Sequence, residues 1–327
     1  MKNMHEKVSP FLHDSETTIN LQLDLLIGLL AVTIISVIQN GLRVLAIVVL
    51  TAFVTWATET VCNIILRRSN ANFIRSISNG FIIALLCPVT VSVWVPVISA
   101  FITVLFVQLV LGKTYKRLFI TTALAWMVML SIAPKQMTVY TAIRGFNEFP
   151  VFDNIEYFLP TSSIAQSLQS NNTPSYSVAE LLTGHYPGGM GTTCIFIILA
   201  VCVYFIFRKS MAWQVSLSMI LTVTAFALVF NRTSSSVLYS ALYELTATSF
   251  IFIAVFVAGD IINTPMLTVA KILYGILMGT VTMLCRYLGF GEHCVVISLL
   301  ICNLFAELFD IASLRYQIKF VKWEMLK

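Results

Sequence analysis

Residues 22–66 read QLDLLIGLLAVTIISVIQNGLRVLAIVVLTAFVTWATETVCNIIL, which is two long apolar runs separated by one tight connector, Asn40-Gly41. Each run is long enough to cross roughly 30 Å of hydrocarbon, for which an α-helix needs about 20 apolar residues. A connector of two residues leaves no room for a soluble domain between the runs. The stretch therefore predicts two consecutive membrane-spanning helices.

The same pattern continues along the chain. Of 327 residues, 58% are hydrophobic and only 11% are charged, against roughly 25% charged residues in a soluble domain. A chain of this composition cannot hide its apolar surface in one water-soluble core, so the bilayer has to be its solvent. We therefore predict an all-α, polytopic integral membrane protein with about ten transmembrane helices. The predicted spans are 22–39, 42–66, 77–88, 93–112, 117–133, 193–208, 213–230, 236–258, 268–286 and 293–313.

The spacing of the spans divides the chain into five parts. The stretch 77–88 is short and ends at Pro88, so it is predicted to be a half-span or a re-entrant piece. One connector is long and polar, and a loop of that length in a compact bundle is more often functional than filler. The predicted parts are a cytoplasmic N-terminal segment 1–21, a first bundle of five spans 22–133, a long extracytoplasmic loop 134–192, a second bundle of five spans 193–313 and a basic cytoplasmic tail 314–327.

Charge sets the predicted orientation. Lys and Arg are enriched in cytoplasmic loops, and fifteen of the 20 lie inside if the N-terminus is cytoplasmic. The cations left outside are Arg43, Lys135, Arg144, Arg232 and Arg286. An even number of spans returns the C-terminus to the cytoplasm, in agreement with its basic tail. We therefore predict a multi-pass protein of a cell membrane with both termini on the cytoplasmic side.

Several functional classes find no support in the sequence. The seven cysteines include no C-x-x-C pair, and the four histidines have no metal-ligand spacing. There is no phosphate-binding glycine loop and no G-x-S-x-G nucleophile motif. The basic tail is explained by membrane topology, so nucleic acid is not an expected partner. The partner that the composition does predict is the lipid bilayer.

Three acidic residues, Glu59, Glu244 and Glu307, lie inside predicted spans. A carboxylate in hydrocarbon is costly unless it is paired, protonated or hydrated, so each of them is a candidate functional residue. Glu59 and Glu244 are candidates for a cation or proton path through the bundle. The alternative for both is a structural contact with neighbouring hydroxyl or tyrosine groups. Glu307 lies close to the cytoplasmic end of its span, where the structural interpretation is favoured.

Short polar motifs interrupt or flank the apolar runs, and they follow one another in a definite order along the chain. They are Ser9-Pro10-Phe11-Leu12-His13, Glu59 in the second span, the run 79–88 followed by Trp94 and Pro96, the glycine-rich run 182–193, and Asp260, Thr264 and Pro265. In this order of motifs, the chain resembles the RnfD/NqrB family, which comprises membrane subunits of Rnf-type ion-translocating oxidoreductases and of the related sodium-translocating NADH:quinone reductase. The resemblance covers nearly the whole length. It implies a membrane subunit of a flavin-linked electron-transport complex that couples electron transfer to Na⁺ or H⁺ translocation.

The resemblance also implies a covalent cofactor on the outer loop. Members of the family attach flavin mononucleotide, FMN, through a phosphoester to the threonine of a Ser-Gly-Ala-Thr motif. In this chain Ser163 takes the position of that threonine, while Thr161 and Ser162 replace the two small residues before it. Small neighbours let a transferase bring the flavin phosphate against the hydroxyl. Two interpretations stay open, a flavin attached to Ser163 or an ordinary polar loop.

A second candidate site lies where the resemblance places a Thr-Asp-Pro-x-Thr-Ser-Pro phrase. Asp260 and Thr264 stand at matching positions in a polar break between two spans, and irregular backbone at a membrane boundary tends to line a cavity. Lys271, about one turn into the next span, is a candidate for contact with a flavin or a phosphate. Alternatively, its amine snorkels to the interface. The three residues are our candidates for holding a second, non-covalent flavin.

The resemblance implies partners, and two rival functions stay open. The implied partners are the other Rnf-type membrane subunits, an extracytoplasmic flavin subunit and a cytoplasmic iron–sulfur subunit. One rival is a secondary transporter of a small solute, since intramembrane carboxylates and broken helices suit that class too. That rival predicts repeat symmetry between the halves, which the sequence does not show. The other rival is a redox-silent scaffold subunit, suggested by the replaced motif residues at 161–163 and 112–117.

Overall fold

The computed structural model of the chain describes residues 18–67, 73–111, 120–141, 151, 161–170, 172–174, 176–232 and 236–324. The motif at 9–13, the replaced phrase at 112–117 and most of the predicted N-terminal segment 1–21 lie outside these residues. The helices are α1 Thr18–Asn40, α2 Leu42–Ile65, α3 Phe73–Leu86, α4 Trp94–Phe106, α5 Thr121–Ile132, α6 Pro134–Thr138, α7 Ile164–Gln169, α8 Val178–Thr183, α9 Ile195–Phe207, α10 Trp213–Val229, α11 Val237–Thr246, α12 Phe250–Phe256, α13 Thr268–Tyr287 and α14 Cys294–Glu324.

The described residues are mostly helical and form no strand, which confirms the all-α prediction. Helices α1, α2, α13 and α14 are each long and apolar enough to cross a bilayer. Helices α11 and α12 pass the same test only together and are bent by 58° at a short break, so the predicted span 236–258 is interrupted. The other apolar helices in the described ranges have 10–17 residues. The number of crossings and the side of each terminus stay predictions.

Helix α3 is short, as the sequence predicted. It has 14 residues, which rise about 21 Å at 1.5 Å per residue, less than the hydrocarbon thickness. After Leu86 the chain runs irregularly through 87–93 before α4 begins at Trp94. A π-helical turn, Val107–Leu111, continues α4. The third apolar stretch is therefore a short helix followed by an irregular segment.

The two halves of the bundle repeat the same packing. In the first half, α3 packs on α1 and α2, and α4 packs on α2 and α5. In the second half, the broken pair α11–α12 packs on α9 and α10, and α13 packs on α10 and α14. In the first half the third element, α3, ends in the irregular segment 87–93, and in the second half the third element is broken between α11 and α12. The structure thus shows a repeat that the sequence did not reveal.

The halves are inverted relative to one another. Asp24, early in α1, pairs with Arg208, which directly follows α9. Gln39, late in α1, donates to the carbonyl of Thr183, which precedes α9. Helices α1 and α9 therefore run antiparallel where the halves meet. Inverted repeats with discontinuous helices recur among membrane transporters, where sites lie at the interface between the repeats.

Glycines bring the central helices into close contact. A Cβ added at Gly80 of α3 would lie 2.5 Å from the Cα of Ala52 in α2. A Cβ added at Gly275 of α13 would lie 2.5 Å from the carbonyl oxygen of Val215 in α10. In lipid, helices associate through van der Waals packing of small residues, because there is little hydrophobic driving force between them. These glycines set the distances on which both halves depend.

Candidate functional site

The first helix break is closed by an arginine. Arg43, near the start of α2, is 0% exposed, and its guanidinium donates to the carbonyls of Val89 at 3.0 Å and Val91 at 2.8 Å. Both carbonyls belong to the irregular segment after α3, where helical hydrogen bonds end. Because unpaired carbonyls are costly away from water, Arg43 supplies the bonds that the break has lost.

The glycine-rich run 182–193 closes the same break from the loop side. The amide of Met190 donates to the carbonyl of Cys87 at 2.8 Å, just beyond the end of α3. A Cβ added at Gly189 would lie 2.7 Å from the carbonyl oxygen of Leu86. Only glycine allows the loop backbone to come this close, which gives the glycine-rich motif a structural reason.

The second break is closed in the same way. Arg286, near the end of α13, donates to the carbonyls of Glu244 at 2.6 Å and Ala247 at 2.9 Å, and to the hydroxyl of Thr248 at 2.9 Å. The same guanidinium pairs with the Glu244 carboxylate at 2.9 Å. One buried arginine therefore satisfies both the open backbone after α11 and the charge of a buried glutamate.

Two arginines hold Glu244. Its side chain is 1% exposed, and its second oxygen lies 3.5 Å from the guanidinium of Arg232, whose side chain is 15% exposed. With a guanidinium group against each oxygen, the carboxylate has little capacity left for a passing cation. The contacts favour the structural interpretation of Glu244, although its partners are arginines and not the expected tyrosines.

Glu59 has different surroundings. Ser76 of α3 donates a hydrogen bond to one carboxylate oxygen, and Gln108 of the π-helical turn donates to the other at 2.8 Å. Both donors are neutral. Thr55 and Asn79 line a cavity of about 20 Å³ beside the carboxylate, which is enough for a water molecule. Glu59 is therefore a polar group next to space that water can occupy.

A second cavity, of about 30 Å³, lies between the two halves. Asp260 and Asn263 line it from the turn after α12, and Arg75 of α3 donates to the side-chain oxygen of Asn263 at 3.1 Å. Burial raises the pKa of the Asp260 carboxyl above its ordinary 3.8, and the Arg75 guanidinium opposes that rise. The hydroxyl of Thr122 also lines the cavity and has no hydrogen-bond partner among the described residues.

Asn79 lines both cavities and therefore lies between them. We call this polar strip the α3 seam, and it consists of Glu59, Arg75, Ser76, Asn79 and Asp260. Arg75, Ser76 and Asn79 lie in the first half of α3 and Glu59 lies in the second half of α2, both of which the predicted orientation places on the cytoplasmic side. The seam places Glu59 and Asp260, which are far apart in the chain, in two cavities that share Asn79.

Two of the residues expected to hold a flavin are not part of the seam. The Thr264 hydroxyl is buried and donates to the carbonyl of Ile261 at 3.2 Å, within its own turn. Lys271 lies in the first turn of α13 and is partly buried. Neither of them lines the cavity that Asp260 lines. Thr264 stays in the turn of Asp260, where its backbone amide donates to the Asp260 carbonyl at 3.1 Å, but its side chain does not line the cavity.

Ser163 is buried at the start of α7. It is 3% exposed, its oxygen accepts from the amide of Gln166 at 3.2 Å, and its hydroxyl donates to the carboxylate of Glu292. The Gln166 side chain accepts from the amide of Ser163 in return, which completes a capping box. Ser162 beside it is exposed, and Thr161 is partly buried. The position expected to carry a cofactor is thus an N-cap tied to the bundle.

The surroundings of Ser163 do not fit a flavin phosphoester. Such a bond replaces the hydroxyl proton with a phosphate, and that proton is the one donated to Glu292. A cavity lined by Ala165 of α7 and by Arg286 has a volume of only about 10 Å³, whereas ligand pockets measure about 300–1,000 Å³. An attached flavin would have to displace the acceptor and open the packing around α7.

Sequence reasoning missed what the two buried arginines do. By charge, Arg43 and Arg286 count as outer-side cations, whereas the structure buries both inside the bundle. The signal was present, because each lies within an apolar run and an ionisable residue in such a run calls for a partner. The partner itself was invisible, since it is a set of backbone carbonyls at a break elsewhere in the chain.

The fold and the seam define a class, a polytopic membrane protein built of two inverted halves, the second of which contains a broken helix. The chain belongs to the NQR2, RnfD, RnfE family, whose model matches residues 5–319. This match confirms the resemblance drawn from the motifs.

Similar proteins include subunits of two kinds of complex. A subunit of the Na(+)-translocating ferredoxin:NAD(+) oxidoreductase complex of Acetobacterium woodii is 23% identical over 94% of this chain and 93% of its own length. A subunit of the ion-translocating oxidoreductase complex of Stutzerimonas stutzeri is 22% identical over 78% of both chains. A subunit of the Na(+)-translocating NADH-quinone reductase of Chromohalobacter salexigens is 26% identical over 72% of this chain and 58% of its own length.

Proposed function

We propose that this protein is a membrane subunit of an ion-translocating oxidoreductase complex, the class to which the names of its relatives refer. In this proposal it couples electron transfer to the movement of Na⁺ or H⁺ and acts within a complex, not as an enzyme alone. The family match along nearly the whole chain supports the class. The α3 seam supports a direct part in ion movement.

Glu59 is the observation that carries the proposal. Both of its hydrogen-bond donors are neutral, whereas Glu244 is held by two arginines. Thr55 and Asn79 also line the adjoining cavity, and their side-chain oxygens belong to the class of ligand that hard cations prefer. A carboxylate beside space that water can occupy is suited to a place on an ion path.

In this proposal, the α3 seam is accessible from only one side of the membrane. Arg43 and Arg286 seal the two helix breaks on the predicted outer side, and the two seam cavities lie toward the predicted inner side. A site that opens to one side at a time is what alternating access between two inverted repeats requires. Translocation would then need the halves to move against each other at α1 and α9.

The cofactors and partners complete the proposal. We assign flavin-linked electron transfer to the assembled complex, with other Rnf-type membrane subunits, an extracytoplasmic flavin subunit and a cytoplasmic iron–sulfur subunit as partners. The cavity at Asp260 holds about 30 Å³ and is too small for a flavin ring system. A non-covalent flavin near Asp260, Thr264 or Lys271 would therefore need an interface with a partner subunit to enclose it.

The test uses inverted membrane vesicles that contain the whole complex. E59Q keeps the size of the side chain and removes its charge, so reductant-driven Na⁺ uptake or acidification should fall about tenfold or more, since a charged hydrogen bond is worth about 1.5–3 kcal/mol. E307Q makes the same change at an exposed carboxylate of α14 and should transport like the wild type. Normal ion uptake by E59Q would refute a direct role of the seam.

A secondary transporter is the second candidate, and the inverted repeat is the observation that favours it. The two functions differ in what drives the ion. The isolated chain in proteoliposomes should move no Na⁺ when a reductant is absent, and the tagged chain should copurify from mild detergent with other membrane subunits. Saturable uptake by the isolated chain without reductant would favour the transporter.

A further inference from the structure

The outer loop is fastened to the bundle through one hydroxyl. Ser163 caps α7, and the acceptor of its proton, Glu292, lies in the short turn Gly291–His293 between α13 and α14. A second bond joins the same two parts of the chain, because Gln169 at the end of α7 donates to the carbonyl of Gly289 at 2.8 Å. Helix α7 is therefore tied at both ends to the turn after α13.

The cap satisfies the hydroxyl completely. The Ser163 oxygen accepts from the amide of Gln166, its proton goes to Glu292, and its amide donates to the Gln166 side chain. The Gln166 side chain is itself anchored, since its Nε2 donates to the carbonyl of Thr138 at 2.7 Å. Any group added to the Ser163 oxygen breaks the bond to Glu292 and leaves that carboxylate without its hydroxyl partner.

The space around the hydroxyl is closed as well. Ile164, Ala165 and Leu168 turn a buried face of α7 toward Tyr186 and Tyr243 in a small apolar cluster. The adjoining cavity, about 10 Å³, admits a single water molecule at most. A phosphate with a ring system attached cannot enter without unpacking α7 from the bundle.

We infer that Ser163 is a structural cap that carries no covalent flavin, so that the outer loop of this chain is sealed at the position where the family attaches its cofactor. The inference goes beyond the proposed function and does not depend on it, because a chain without this flavin still translocates ions if partner subunits carry the electrons. On this inference, the chain differs from the family in the Ser163–Glu292 contact as well as in the residues beside Ser163.

The first experiment measures attachment directly. The full chain is expressed together with a flavin transferase of the phosphoester type, purified in detergent, denatured and examined by intact mass and in-gel flavin fluorescence. We expect the unmodified mass and no fluorescence, while a relative with the intact Ser-Gly-Ala-Thr motif, expressed in the same cells, fluoresces. A flavin adduct on the peptide that contains Ser163 would overturn the inference and would strengthen the proposed function.

The second experiment separates accessibility from motif sequence. The quadruple variant P160S/T161G/S162A/S163T restores the motif but keeps a hydroxyl that can cap α7 and donate to Glu292, so we expect it to stay unmodified. Flavin on this variant would overturn the geometric argument. S163A should lower the thermal midpoint in detergent well below that of S162A, which removes an exposed hydroxyl. Equal midpoints for the two would show that Ser163 is not a structural cap.

Discussion

Single buried charges decide how the broken helices are stabilised. Arg43 and Arg286 lie in different halves and at different sequence positions, yet each donates to the carbonyls that a helix break leaves open. A guanidinium suits this task because it presents several donors in a fixed plane. Lysine, with one ammonium group, cannot reach separated carbonyls in the same way.

Removing Arg286 should be far more costly than removing its neighbour. R286M leaves Glu244 with a single distant partner and exposes the carbonyl of Ala247, so we expect a loss of about 3–5 kcal/mol, as for other broken buried pairs. R232M removes a longer and partly exposed contact and should cost about 1 kcal/mol or less. Denaturation in mixed detergent, followed by circular dichroism, gives both values. Equal losses would mean that the break does not depend on Arg286.

Asp260 should give the protein a specific pH dependence. Its folded pKa is raised by burial above the ordinary 3.8. Between these two values the folded state binds more protons than the unfolded state, so stability falls as the pH rises through that window. The penalty is fully present above the raised pKa and absent below 3.8.

The variant D260N tests the direction of this pH dependence, because a side-chain amide does not titrate. We expect the stability of D260N to fall less than that of the wild type as the pH rises from about 4 toward neutrality. Thermal midpoints in detergent across that range provide the comparison. Parallel curves for the two proteins would show that the Asp260 pKa is not raised in the folded state.

At the scale of elements, two kinds of contact hold the helices. The interrupted elements rely on arginine side chains and, in the first half, on the glycine-rich run 182–193. The uninterrupted pairs rely on glycine, as where Gly275 and Gly279 of α13 lie against α10. Because the glycine contacts require the backbones of two helices to lie close together, they are sensitive to a single added methyl group.

The substitution G275A should separate α13 from α10. The new Cβ would lie 2.5 Å from the carbonyl oxygen of Val215, and backbone cannot move aside as a side chain does. We expect a loss of at least about 1–3 kcal/mol, as for overpacked cores, and a smaller monodisperse fraction in size-exclusion chromatography. The neighbouring change I276A removes an exposed side chain and serves as the control. A monodisperse and fully stable G275A would contradict the packing described.

At the scale of the whole molecule, the inverted halves set the constraints on function. They meet through α1 and α9, where Asp24 pairs with Arg208 and the Tyr204 hydroxyl donates to Asp24 at 3.0 Å. Gly28 allows this contact, since a Cβ there would lie 2.6 Å from a methyl group of Val201. The interface has a close apolar part and one ion pair near its end, which suits two rigid bodies that move against each other.

The predicted orientation can be read from single cysteines. S170C, in the long loop, should react with a membrane-impermeant maleimide in intact cells, and K209C, in the turn after α9, should react only after permeabilisation. Both positions are exposed. Of the native cysteines, Cys202 is partly buried and the other six are buried, so the background should be low. The reverse pattern would place the N-terminus outside.

The family motifs could be found from the sequence, but their roles could not. Glu59 was identified as a candidate because a carboxylate inside an apolar run is exceptional, and the structure keeps it beside a cavity. Glu244 raised the same expectation and turned out to be paired, since its partners come from two other segments. No local pattern distinguishes these two glutamates.

The sequence by itself determined the solvent, the helical class and the approximate position of every apolar helix, because the length and composition of a run are local properties that hydrocarbon selects directly. Only the tertiary structure decided that the halves are inverted repeats, since the packing order is shared although the residues are not. It also showed that Ser163 caps α7 and donates to Glu292, which is 129 positions away in the chain. Hydrogen bonds and ion pairs across such separations depend on which helices pack together. No local pattern in a single sequence specifies that packing.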